Sequence, residues 1–137
     1  MLVHDFLKNA AQTYPDRYAV WFEGAWFTYS EIDEKADKLA AYLTENGIKK
    51  GDRISLILDN SIDYVISYFA ILKAGAVVVG INPEMPNSAL SYQINNSDSK
   101  LIIIEQKYLD SLQKFISKWN GSIKYILSQK KNQKAPF

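Results

Sequence analysis

Hydrophobic and polar positions along the 137 residues change their period several times, and each change marks an element. From Leu2 to Tyr14 the apolar residues Val3, Phe6, Leu7 and Ala10 recur three to four apart, the spacing of a helix with one buried face. Pro15 stops it, because proline lacks the N–H that a helix interior uses. Tyr18 to Phe22 and then Trp26 and Phe27 are short β-rich runs separated by Glu23-Gly24, which predicts a hairpin. Thr28-Tyr29-Ser30-Glu31 fits a capping box, in which a hydroxyl and a carboxylate satisfy each other's free backbone N–H. The helix it opens carries an apolar stripe of Ile32, Ala36, Leu39, Ala40 and Leu43 and ends at Asn46-Gly47. Glu31–Lys35 and Glu34–Lys38 are expected to pair on its wet side.

After Gly51-Asp52 the texture changes. Arg53 to Leu58 reads as a strand, and Ser61 caps a helix running to about Lys73 that is apolar nearly all round. Val77 to Ile81 is a β-branched run without alternation, as expected of a parallel strand covered on both faces. Pro86 to Asn95 reads as a helix, Asn96-Ser97-Asp98-Ser99 as a turn and Leu101 to Ile104 as a buried strand. Tyr108 to Trp119 reads as a helix stopped by Asn120-Gly121, and Ile123 to Leu127 as a last strand. The expected fold is α/β: alternating βα units forming a mostly parallel sheet with helices on both faces, preceded by an N-terminal helix and a short β-hairpin. Residues 1–127 form the folded part in this reading, and 128–137 a polar basic tail.

Composition removes several chemistries. There is no cysteine, hence no disulfide, zinc–thiolate site or thiol nucleophile, and a single histidine, His4, leaves no multi-histidine metal site. Net charge is +1, which makes no case for nucleic acid. The charge is uneven: residues 1–70 hold 7 basic and 11 acidic side chains, residues 71–137 hold 9 and 4. Residues 64–81 form an apolar window with Lys73 as its only charge, but Lys73-Ala74-Gly75 divides it into pieces too short to span a bilayer. With no signal-peptide core at the N-terminus, the expected compartment is the cytosol.

The sequence carries little that reads as an active site. Gly75 and Gly80 have P-loop spacing, but they flank a strand that follows a helix, and the Lys-Ser/Thr pair is absent. Asp33/Asp37 and Glu31/Glu34 read as a solvated helix face, and Trp21, Trp26 and Trp119 as packing residues. The loops after strands, Asp59-Asn60-Ser61 and Ile81-Asn82-Pro83, are the places an open α/β sheet would present to a ligand, with Asn60, Ser61 and Asn82 as the crevice-facing residues. No catalytic, cofactor-binding or metal-ligating residue is assigned.

Taken together, these residues resemble a family. Thr28-Tyr29-Ser30-Glu31-Ile32-Asp33, followed by Ala36 and Leu39-Ala40, resembles the first core motif of adenylate-forming (AMP-binding) enzymes. That superfamily includes acyl-CoA synthetases, adenylation domains of nonribosomal peptide synthetases, and luciferases. Leu72-Lys73-Ala74-Gly75, running on through Gly80 to Pro83, resembles the second core motif. Gly51-Asp52-Arg53-Ile54, Leu90 to Ile104 and Tyr14-Pro15-Asp16-Arg17 also match in order, so the resemblance covers about residues 3–127. Asn82 before Pro83 favours acyl- or aryl-CoA synthetases over amino-acid-activating domains.

The resemblance implies a carboxylate that attacks ATP to give an acyl-adenylate, and a thiol that then displaces AMP. ATP, magnesium and CoA are thereby implied for a full-length enzyme, with a carboxylic acid as substrate. The family's nucleotide-binding loop and catalytic lysine have no counterpart here. The chain is therefore expected to be the N-terminal part of the large domain, inactive alone, with no cofactor of its own and a tendency to self-associate, with exchange of elements as one route, because a strand edge and an apolar helix face are left uncovered. The alternatives are a non-catalytic binding module derived from the fold and a peptide-synthetase adenylation domain.

Overall fold

The computed structural model describes residues 1–119 and 123, and the backbone of Tyr125–Gln129. Helix α1 (Val3–Thr13) comes first, then a two-stranded antiparallel ribbon of β1 (Tyr18–Phe22) and β2 (Ala25–Thr28). There follow α2 (Tyr29–Glu45), β3 (Arg53–Ile57), α3 (Ile62–Lys73), β4 (Val77–Gly80), α4 (Asn87–Asn96), β5 (Leu101–Glu105), α5 (Gln106–Ser111), α6 (Gln113–Ile116) and β6 (Tyr125–Gln129). Strands β3 to β6 form one parallel sheet in the order β4-β3-β5-β6.

Local chemistry explains where the helices start and stop. The Thr28 hydroxyl accepts from the Glu31 N–H at 3.2 Å, and the Glu31 carboxylate accepts from the Thr28 N–H at 2.8 Å, which is the expected capping box. Glu31 is thereby turned back to the cap, while Lys35 lies 5.7 Å from the centre of the Phe27 ring; Glu34 and Lys38 do pair, at 3.3 Å. Gly47, at φ 89°, lets Ile48 donate back to the Leu43 carbonyl at 3.1 Å and close α2. The Ser61 hydroxyl accepts from the Tyr64 N–H at 3.1 Å and opens α3. Gly75, at φ 77°, ends α3 in the same way as Gly47, with Ala76 donating to Ile71.

The sheet separates two apolar layers. On one face α1, α2 and α3 pack against Ile54, Leu56, Leu101 and Ile103. On the other, Leu90, Ile94 and Leu112 pack against Ile57, Ile102 and Ile104. Alternate residues of β3 and β5 serve opposite layers, so residues 54–57 and 101–104 are buried on both sides. Ser55 is the buried polar residue of β3. Its hydroxyl is fully buried and joins a chain through Ser99, at 2.7 Å, and Ser97 to the Ile94 carbonyl.

Four expectations change. Strand β4 is covered only in part: Val78 packs on the α1–α3 layer and Val79 on the other, but among the described residues it has a strand neighbour on one side only, and Val77 is 46% exposed. The helix expected over 108–119 begins at Gln106 and breaks at Leu112, whose buried side chain anchors the chain between α5 and α6. The last strand is Tyr125–Gln129, two residues later than expected, while Asn120-Gly121 and residues 130–137 of the expected tail lie outside the described residues. Trp21 and Trp26 are not packing residues: they are 59% and 55% exposed, and Tyr18 stacks on Trp26 at 5.3 Å. The ribbon has one face on the core, through Ala19, Val20, Phe22 and Phe27, so its other face is left outward. Among the described residues no helix is long and apolar enough to cross a membrane; the apolar window is divided between α3 and β4.

Candidate functional site

Strand order directs attention to one crevice. β3 connects through α3, on one face, to β4; β5 continues through α5 and α6, on the other face, toward β6. Adjacent strands whose connections leave to opposite sides open a gap at their carboxyl ends, and that gap lies between β3 and β5.

The groups gathered there are Asp59, Glu105, Lys107 and Tyr108. Asp59 follows β3, and its carboxylate accepts from the Tyr108 hydroxyl at 2.5 Å and from the Lys107 ammonium at 2.7 Å. Glu105 ends β5; it accepts from the Asp59 N–H at 3.2 Å and lies 3.4 Å from Lys107. The hydrogen bond to Asp59 holds the Lys107 ammonium above the ordinary lysine range, with the Glu105 charge adding to it. Burial, and then the hydrogen bond to Asp59, push the Tyr108 phenol up. This cluster is an acceptor-rich brace between adjacent strand ends. It does not suit a triphosphate: two carboxylates occupy the gap, and its cation is already engaged by both.

The crevice-facing residues named from the sequence lie on the neighbouring loops. Asn60 is exposed just after Asp59. The Ser61 hydroxyl is taken up in capping α3. Asn82, exposed after β4, accepts from the Glu84 N–H at 3.0 Å and shapes the turn that contains Pro83. Asp59 was within a loop already singled out, but Glu105, Lys107 and Tyr108 were not. The sequence marks Glu105 only as the residue after an expected strand; that this strand pairs beside β3 is a tertiary fact.

The motif residues serve structure. Thr28 and Glu31 form the cap, and Tyr29, half-buried, donates its N–H to the Arg17 carbonyl at 3.1 Å. Leu72 is half-buried in the last turn of α3, and Ala74 packs against the core. A Cβ on Gly75 would sit 3.6 Å from the Lys50 backbone, so the turn closes tightly against the chain leading into β3. Lys73 has the most specific role. Its ammonium donates to Asp33 and to Asp37 at 2.6 Å each and is only 10% exposed. Asp33 and Asp37 are therefore not simply a solvated face; they clamp α2 to α3. Burial pushes the Lys73 ammonium down, but the two carboxylates outweigh it and the net shift is upward. Beside the clamp lies a polar hollow of about 410 Å³, lined also by His4, Asp5, Lys8 and Gln12 of α1. Among the described residues no group of three or more His, Cys, Asp or Glu could hold a metal ion.

Comparison with known proteins gives this frame an identity. The family model described as AMP-binding enzyme matches residues 7–136. The chain is 36% identical over 108 residues to a medium/long-chain-fatty-acid–CoA/3-oxocholest-4-en-26-oate–CoA ligase of Mycolicibacterium smegmatis, covering 79% of this chain and 20% of the relative. It is 39% identical over 105 residues to a plipastatin synthase of Bacillus subtilis, covering 77% of this chain and 4% of that one. The crystal structure of coronafacic acid ligase from Pectobacterium brasiliense superposes with a TM-score of 0.88 at 23% identity, covering 94% of this chain and 26% of that one. The chain thus spans about a fifth of the length of the ligase it matches. With the helix cap, the Lys73 clamp and the parallel sheet in the matched segment, the chain belongs to the AMP-binding enzyme family.

Proposed function

We propose that this chain supplies the N-terminal part of the large domain of an ATP-dependent acyl-CoA ligase. The observation that carries the reading is the family match along residues 7–136, which contains both core-motif segments. In the full reaction a carboxylate attacks ATP to form an acyl-adenylate, and the CoA thiol then displaces AMP; magnesium neutralises the phosphates. The residues of this chain build the frame: the cap at Thr28, the Lys73 clamp and the strand ends that carry Asp59 and Glu105. Asn60, Ser61 and Asn82 lie on the loops that would border the ligand crevice. Groups that hold ATP, magnesium and CoA belong, in this reading, to sequence beyond these 137 residues. The compartment is the cytosol.

A peptide-synthetase adenylation domain is the second reading, favoured by the likeness to the Bacillus subtilis plipastatin synthase. Asn82 before Pro83 supports the CoA ligase instead.

Calorimetric titration of the 137-residue chain with ATP, CoA and a fatty acid is expected to show no binding. A chimera in which this chain replaces the matching segment of the Mycolicibacterium smegmatis ligase is expected to form acyl-CoA. Acyl-adenylate formation by the chain alone, or a folded chimera without activity, would overturn the reading.

A further inference from the structure

Strand β4 pairs with β3 on one side and with no strand among the described residues on the other. Val77 donates inward to the Asp52 carbonyl at 2.7 Å, and Ile81 to the Leu56 carbonyl at 3.1 Å. Alternation along the strand therefore turns the N–H and C=O of Val78 and Gly80 outward, in the plane of the sheet. The segment Val77-Val78-Val79-Gly80 contains neither a charge nor a proline, two devices that commonly guard an edge.

We propose that this edge pairs with β4 of a second copy of the chain, antiparallel across a two-fold axis. Register supports it first. With Val79 opposite its own counterpart on the axis, Val78 of each copy lies opposite Gly80 of the other. Each such pair exchanges two backbone hydrogen bonds, so every outward group named above is satisfied. Charge supports it independently. Lys50 lies at the amino-terminal end of β4, against Gly75, and Glu84 is exposed just beyond its carboxyl-terminal end. Antiparallel pairing brings Lys50 of each copy toward Glu84 of the other, twice. The axis runs perpendicular to the sheet, so the helical layer on each face continues across the pair. The interface is self-complementary and closed. It requires nothing of the ligase reading.

Sedimentation equilibrium of the 137-residue chain from low to high micromolar concentration tests the pairing. The expected result is a monomer–dimer equilibrium. Val78→Pro deletes an N–H that makes no bond among the described residues, so it is expected to give a monomer with an unchanged far-UV spectrum. Glu84→Lys is expected to raise the dissociation constant about tenfold, and adding Lys50→Glu in the same chain to restore it. The charge swap decides the matter should the proline variant fail to fold. A monomer throughout the range, a dimer indifferent to Val78→Pro in the folded state, or charge reversal without rescue would each overturn the proposal.

Discussion

Lys73 and Lys107 are each held by two carboxylates, yet they hold different kinds of structure. Lys73 is 10% exposed, and its partners Asp33 and Asp37 come from another helix, so the clamp fixes α2 against α3. Lys107 is 53% exposed, and one of its partners, Glu105, is only two residues away. The lesson is dielectric. Removing one partner from a group sheltered from water strands the remaining charges, whereas water replaces a lost partner at the surface.

That contrast can be broken most directly at Lys73. Lys73→Ala leaves two carboxylates facing each other beside the core and is expected to lower stability by about 2–3 kcal/mol in urea denaturation. The value is set below that for a fully buried pair because Asp37 is largely exposed. Replacing all three groups together, with Lys73→Met, Asp33→Asn and Asp37→Asn, is expected to recover most of the loss. A Lys73→Ala protein as stable as the parent would show that the clamp is ornamental.

Titration sharpens the same point. The folded protein holds the Lys73 ammonium above its ordinary range, so its contribution is fully present below about pH 10.5 and is lost as pH rises through the folded value. Asp52 is the opposite case. The Lys100 ammonium, at 2.9 Å, and then the Lys49 N–H hold its carboxyl below the ordinary range. Its contribution is complete above about pH 4 and is lost as pH falls through the folded value. Denaturation midpoints measured against pH are therefore expected to show an alkaline limb that is reduced in Lys73→Met and an acid limb that flattens in Asp52→Asn.

The smallest effect belongs to Lys107→Met. Thermal unfolding of this variant is expected to match the parent within measurement scatter. A large loss would mean that the crevice brace, rather than the clamp, holds the sheet together.

What could be read in advance follows the reach of each interaction. The Thr28–Glu31 cap, the Ser61 cap and the stops at Gly47 and Gly75 depend on groups within five residues, and each was legible. Asp33 and Asp37 are separated from Lys73 by 40 and 36 residues. Helical spacing places those aspartates away from the Ile32 stripe and says nothing of the neighbouring helix. The loop Asp59-Asn60-Ser61 was legible as a strand-end position, but the Asp59–Lys107–Tyr108 brace depends on β5 lying beside β3.

The alternation of apolar runs and caps was enough for an α/β chain with a parallel sheet, because period and capping are properties of neighbours along the chain. Only the folded molecule decided which strand took the edge, which aromatic face of the ribbon stayed outward and which helix broke at Leu112. Three valines in a row are equally compatible with a central or an edge strand. Strand order, a long-range outcome of how the crossovers pack on the two faces of the sheet, selects between them.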